Sequence, residues 1–351
     1  MARASTASLL TLGVLLLGCS EDEGRKTSDT GIGGSLGDTT SDDAETNGDG
    51  DGDASGDGDP TTTGNDSDSD SDSSGIKFDL GEFPGDGDGD MNEEGCQKVD
   101  LLFVIDNSGS MQDEQDNLIA SFPGFVAGIQ STLESADSYH IGVVTTDTYD
   151  YNAAGCTGLG ALVTKTGGDA SSNMDCLPFS SGKRYLDNTE PDLAAKFECI
   201  GQVGISGSGD EIQAKAGYQA ISPALNAPGA CNDGFIRDDA LLVVVIITDE
   251  DDEEDCIPIF GCSGGSGGSP PDWAALFTQY KGGIADNIVM LGLIGGPNNS
   301  CGADNCDRLK SLTNWFTNGS VGDICAASYE GFFNSAISVI DSACNNFTPP
   351  G

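Results

Sequence analysis

Past position 95 the chain alternates apolar runs of strand length with segments of helical spacing. Residues 99–105, 139–145, 240–248, 288–294 and 320–325 read as strands, and 240–248 (Ala-Leu-Leu-Val-Val-Val-Ile-Ile-Thr) is the most hydrophobic of them. Runs without polar alternation suit strands covered on both faces. Apolar positions three and four apart predict helices over 118–133, interrupted at Pro123, over 212–225, ending around Pro223, and over 273–284, 306–316 and 330–341. Strands alternating with helices imply an α/β domain of three layers, a mostly parallel central sheet with helices on both faces. Between 150 and 192 the pattern lapses into a Gly- and Cys-rich excursion; with its flank it forms an insertion spanning 150–205 in the expected 96–351 domain.

Before position 96 the pattern is different in kind. Residues 20–95 are almost all Gly, Asp, Ser and Thr, with 24 carboxylates against 3 basic side chains. Such a stretch has too little apolar surface to offset the ordering of its backbone, and its like charges extend it, so 19–95 reads as a disordered acidic linker. Its Asp-Gly repeats do not form an EF-hand: Ala54 is sixth from Asp49 where Gly is required, and Gly58 is twelfth from Asn47 where Glu is required. Residues 1–18 place Arg3 before an apolar run, 9–17, that is too short to cross a bilayer, the pattern of a secretion signal. The run ends in Leu16-Leu17-Gly18-Cys19, which resembles the lipobox of bacterial lipoproteins. That resemblance implies cleavage before Cys19, its acylation, and anchoring by two or more acyl chains; Ser20 in place of Asp points to the outer membrane or cell surface. Ordinary signal cleavage with release is the alternative.

The charge narrows the partners. With 58 acidic and 14 basic residues the formal net charge is -44, which repels phosphate backbones and excludes nucleic acid as a partner class. Twelve cysteines fit an oxidising compartment. Lipidation of Cys19 leaves eleven, so one is free or pairs between chains. No Cys-x-x-Cys occurs, and Cys301 and Cys306 lack a second pair at zinc spacing, so disulfides are expected. Sequence proximity suggests Cys156/Cys176 and Cys256/Cys262, and an insertion this long calls for staples through Cys156, Cys176 and Cys199.

The chemistry gathers at two strand ends. The first strand finishes in Asp106-Asn107-Ser108-Gly109-Ser110, and Asp249 follows the 240–248 strand directly. In an open parallel sheet, ligands bind at the C-terminal ends of the strands. A carboxylate and two hydroxyls at alternate positions of a tight turn can converge on one hard cation, Mg2+ or Mn2+, and leave coordination positions for water or an incoming carboxylate. Asp106-x-Ser108-x-Ser110 resembles the metal-ion-dependent adhesion site of von Willebrand factor type A (vWA) domains, and Ile246-Ile247-Thr248-Asp249 is similar to the strand carrying that family's distal Asp. The resemblance covers about 250 residues and implies a cell-envelope protein that binds a protein ligand, one offering a carboxylate, through the metal. The family's third element is a Thr. The corresponding stretch, 204–211, has none: Ser206 or Ser208 can supply a hydroxyl, with Ile205 in the Thr slot, while Asp210 and Glu211 read as charges at the start of the next helix. Asp113 and Glu114 resemble the two acidic residues that bind an adjacent Ca2+ in integrin β subunits; favourable charge on a first helical turn is the equal alternative. Asp147, after the second strand, is a rim candidate.

Nothing in the sequence assembles a catalytic site. The single histidine, His140, falls inside a strand and reads as a core imidazole, and neither His-Glu-x-x-His nor a phosphate loop occurs. Recognition rather than turnover is the expectation; a structural surface protein with a vestigial metal site, and a metal-assisted hydrolase, are the alternatives.

Overall fold

The computed structural model describes residues 95–132, 138–253, 255–257, 261–297 and 300–349. The signal, lipobox and linker expected before position 95 lie outside the described residues. Eight strands are described: β1 (Lys98–Ile105), β2 (Ser138–Thr145), β3 (Leu186–Asp187), β4 (Leu241–Thr248), β5 (Asp255–Ile257), β6 (Gly261–Ser263), β7 (Ile288–Ile294) and β8 (Asn318–Asp323). Six of them form one sheet in the order β3-β2-β1-β4-β7-β8, parallel throughout except for the short edge strand β3. β5 and β6 pair as a separate hairpin in which Cys256 stands opposite Cys262.

Alternation along the central strands builds two cores. Val99, Leu101, Phe103 and Ile105 of β1 enter one cluster with Phe122, Phe125, Phe197 and Phe333, carried by α1 (Gln112–Thr132), α2 (Leu193–Gly201) and a later helix, Glu330–Asn345. Leu102 and Val104 point the other way, toward α3 (Gln213–Ala220) and the helices after the short α4 (Pro223–Asn226), namely α5 (Pro270–Tyr280) and α6 (Asp307–Trp315). The helix Glu330–Asn345 is α7. Helices therefore cover both faces of the sheet, the three-layer α/β architecture that the apolar runs imply.

Several boundaries differ from expectation. Pro123 lies inside α1 without ending it, because the core buries Phe122 and Phe125 on either side and holds the helix past the missing N–H. The helix expected over 212–225 is two: α3 stops at Ala220, and Pro223 opens α4, where a missing donor is not needed. The insertion carries α2, which no periodicity in the sequence marks, and Phe197 on it stacks against Phe122.

Buried amides hold the rest of the insertion. Asn152 Nδ2 donates to the carbonyls of Cys156 (2.8 Å) and Leu162 (2.9 Å), and Asn232 Nδ2 donates to those of Gly160 and Ala220 (both 2.8 Å). These contacts satisfy backbone groups that no strand ladder reaches. Two disulfides staple the same region, Cys156–Cys231 and Cys176–Cys199. The expected Cys156/Cys176 pair is therefore wrong: the chain path brings Cys156 beside a residue 75 positions away, and sequence proximity does not set which cysteines meet. Cys96–Cys344 ties the entry of β1 to the end of α7, and Cys301–Cys325 ties the loops after β7 and β8, which removes Cys301 from any zinc site. Cys306, buried, is the free cysteine among the described residues. No described helix is long and apolar enough to cross a membrane.

A second polar cluster sits at the opposite end of the sheet from the strand tips. Asp100 is fully buried and receives the Arg237 backbone N–H and Nε, each at 2.8 Å. His140 Nδ1 donates to the Phe235 carbonyl at 2.8 Å, and burial lowers its pKa to about 4, so the imidazole is neutral at pH 7. Its role is that of a satisfied core histidine.

Candidate metal centre

β1 ends at the tip of the sheet between β2 and β4, and the turn after it folds back on itself. The Ser108 N–H donates to Asp106 Oδ1 (2.7 Å), which closes a local turn and aims the two serines across the tip. Ser108 Oγ lies 3.2 Å from Ser110 Oγ, and Ser110 Oγ donates to Asp249 Oδ1 at 3.1 Å. Thr248 Oγ1, the residue before Asp249, donates to Asp106 Oδ2 at 2.5 Å. The four residues expected to converge thus form one chain of contacts between β1 and β4, although Asp106 and Asp249 lie 143 positions apart. Asp106 and Ser108 are buried, whereas Gly109 and Ser110 are exposed, so the cluster opens to solvent on its serine side.

The loop before α3 forms the second wall. Gln115 Nε2 donates to the carbonyls of Asp106 (2.8 Å) and Gly204 (2.9 Å), and its Oε1 accepts the Gly204 N–H (3.1 Å). Further along, the Gly207 N–H donates to the Asn107 carbonyl at 2.8 Å. A Cβ at position 207 would stand 2.2 Å from Asn107 Nδ2, so only glycine permits this approach. Asp147 organises the rim, accepting Asn107 Nδ2 (3.1 Å) and the Ser208 N–H (2.8 Å).

The two serines considered for the absent Thr are engaged elsewhere. Ser206 Oγ accepts the Asp169 N–H (2.9 Å), on the insertion, and Ser208 Oγ accepts the Asp210 N–H (3.0 Å), within its own turn. The residue that this loop brings toward Asp106 is Glu211. It is 3 % exposed, and neither carboxylate oxygen has a hydrogen-bond partner among the described residues. It does not act as a helix cap: α3 begins after Ile212, with no acidic residue in its first turn. Burial raises the Glu211 pKa, and the adjacent Asp106 raises it further, offset in part by the nearby Thr146 hydroxyl. Burial likewise raises Asp106, against the Thr248 and Ser108 donors, with Asp249 adding to the rise. Two buried carboxylates side by side, with no basic side chain between them, are an electrostatic cost that protons or a cation must relieve.

Asp113 and Glu114 diverge on the first turn of α1. Asp113 is exposed; Glu114 is buried, its Oε2 has no partner among the described residues, and its pKa is raised chiefly by burial, then by Asp249 and Asp113. Among the described residues no three His, Cys, Asp or Glu side chains gather as a metal cluster. The donors that do meet are carboxylate and hydroxyl oxygens, the hard set that suits Mg2+, Mn2+ or Ca2+.

No protein-family model and no curated protein matches the chain. Among solved structures it is similar to proximal thread matrix protein 1 from the mussel byssus, at 13% identity and a TM-score of 0.36, over 70% of this chain and 49% of that one. It is also similar to the pilus adhesin SpaC of Lactobacillus rhamnosus GG in its open conformation, at 13% identity and a TM-score of 0.36, over 70% of this chain and 30% of that one. The chain thus spans about half the length of the first and under a third of the second.

Proposed function

We propose that this chain is a lipid-anchored cell-envelope protein of the vWA type that binds a protein partner through a divalent cation at Asp106, Ser108, Ser110 and Asp249. The observation that carries the reading is the run of contacts that joins Asp106, Ser108, Ser110 and Asp249 across the tips of β1 and β4, open to solvent on its serine side, with buried Glu211 near enough for the Asp106 charge to raise its pKa. The resemblance expects a neutral Thr from the loop before α3, and the side chain of that loop whose charge acts on the centre is Glu211. When bound, the cation would present an electron-poor position to a carboxylate of the partner. Asp106, Asp249 and Glu211 would balance its charge, Ser108 and Ser110 would complete the inner side, and Thr248 and Gln115 hold Asp106 in place. This is chemistry of binding rather than turnover: the one histidine is occupied in the core.

Calorimetric titration of the full chain with Mg2+, Mn2+ and Ca2+ tests the centre. The Asp106→Ala variant is expected to lose at least tenfold in affinity, about 1.4 kcal/mol, with its far-UV spectrum unchanged because the residue lies at the sheet tip. Identical isotherms for the two proteins would overturn the centre and leave a structural surface role. The anchor has its own test. Cys19→Ser is expected to move the protein from the membrane pellet to the soluble or unprocessed fraction, and a mature N-terminus at an unmodified residue other than Cys19 would refute lipidation.

A further inference from the structure

The insertion and the segment before β4 enclose a cavity of 460 Å³, lined by Leu177, Pro178, Phe179, Lys183, Arg184 and Asp233 among others. Its size and its mixture of apolar walls with a few polar groups are those of a small-ligand site. No residue of the proposed metal centre lines it. Two bases and one acid give it charge, on a chain whose net charge is -44. Lys183 and Asp233 neutralise each other at 2.9 Å, and Asp233 also accepts the Gly229 N–H (3.0 Å).

Arg184 is left without a counter-charge. It is half-buried and makes no ion pair among the described residues. Its Nη2 donates to the Leu162 carbonyl (2.9 Å) and to Asn152 Oδ1 (3.3 Å), while its Nε is buried with no partner among the described residues. Burial pushes its pKa below the usual arginine value, yet a guanidinium stays charged at neutral pH. A cation partly out of water with no anion beside it costs free energy. Fastening Leu162 does not require that cost, because Asn152 Nδ2 already donates to the same carbonyl. The walls around Arg184 are fixed in advance. Lys196 Nζ, from α2, donates to the Cys176 and Pro178 carbonyls (2.8 and 3.1 Å), and two disulfides hold Cys176 and Cys231, the neighbours of Leu177 and Ala230. A ligand entering here need not order them.

We infer that this cavity binds a carboxylate of single charge with an apolar body, the carboxylate paired with Arg184 and the body laid against Leu177, Pro178 and Phe179. A guanidinium matches a carboxylate with two parallel N–H···O bonds. The entering group supplies the acceptor that Nε lacks, once the guanidinium turns toward it. A phosphate monoester carries about -1.5 to -2 at neutral pH, so a chain this acidic repels it more strongly than a carboxylate. A free organic acid and the C-terminus of a peptide both offer this chemistry. The site does not depend on the metal centre.

The test is calorimetric titration of the full chain at neutral pH. Phenylacetate is expected to bind, and its neutral analogue phenylacetamide to bind about tenfold more weakly or worse. N-acetylphenylalanine presents a peptide C-terminus beside the same ring: tighter binding than phenylacetate assigns the site to peptide ends, weaker binding to free acids. Arg184→Gln is expected to lose about tenfold or more in phenylacetate affinity. Ala230→Phe, which fills the cavity and leaves Arg184 in place, is expected to abolish binding, and Asp106→Ala to bind as the parent does. Thermal transitions report whether each variant is folded. A parent that binds neither acid, or binds acid and amide alike, overturns the site, as does a folded Arg184→Gln with the affinity of the parent. Loss in Asp106→Ala without loss in Arg184→Gln would place the carboxylate at the metal centre and refute the cavity.

Discussion

Removing divalent cations at pH 8 is expected to destabilise the domain by about 4 kcal/mol relative to a saturated sample, the value for free ligand at about a thousand times its Kd. The same removal at pH 5 is expected to cost far less. The reason is the Asp106–Glu211 pair. Both groups have folded-state pKa values raised above the ordinary carboxylate range, by burial first; Asp249 adds to the rise at Asp106, and Asp106 to the rise at Glu211. A raised folded pKa means that the native state holds protons which the unfolded chain has released. The stability is then fully present below the unfolded value, near pH 4, and is lost as pH rises above it. Each proton retained steepens the fall by about 1.4 kcal/mol per pH unit. A bound cation replaces those protons and should flatten the dependence. Urea unfolding with chelator and with 10 mM Ca2+, at about pH 5 and about pH 8, reads out all four conditions. Glu211→Gln removes one carboxylate of the pair and is expected to shrink the pH-dependent loss in chelator. If chelated and saturated protein unfold at the same urea concentration at both pH values, neither the pair nor its cation has the role assigned.

Replacing Arg237 with alanine is expected to cost about 3–5 kcal/mol, the usual effect of stranding one member of a buried ion pair. Asp100 has no exposed surface, and Arg237 reaches it through the backbone N–H and Nε. Arg237 Nη1 also donates to Ser138 Oγ (2.7 Å) and Nη2 to the Val99 carbonyl (3.0 Å), which locks the entries of β1 and β2 together. Burial pushes the Asp100 pKa up to about 6 even against the guanidinium, so without Arg237 the carboxyl should take up a proton more readily. The penalty should therefore be largest above pH 6 and shrink as pH falls, and Asp100→Asn in the same background should recover part of it. Chemical unfolding of the four proteins of the double-mutant cycle gives the coupling directly; an Arg237→Ala loss below about 1 kcal/mol would show that the cluster contributes little.

The strands of the main sheet were legible because each is a short run whose burial depends only on its own composition. β1, β2, β4 and β7 lie within a residue of where the apolar runs place them. β8 is displaced toward Asn318 because, as an edge strand of glycine and polar residues, it has no apolar pattern to read. Helix ends were less legible. Pro123 breaks a helix only where the neighbouring contacts are too weak to hold it, and those contacts come from strands and helices distant in the chain.

At the sheet tip the same division holds. Asp106, Ser108 and Ser110 were readable together because a five-residue turn brings them together, and Asp249 because it follows the most apolar strand. Glu211 reads from the sequence as a helix charge, since nothing within its own segment signals that it is buried. Its depth follows from Gly207 closing on Asn107 and Gln115 pinning Gly204, contacts across about a hundred residues or fewer of intervening chain. The disulfide partners were hidden for the same reason. Local sequence determined the strands, the turn and its oxygen donors, because these depend on spacing along the chain. The tertiary structure decided which carboxylates lost water, which cysteines met and where negative charge was left without a counter-charge, because each of these depends on what the rest of the chain packs against it.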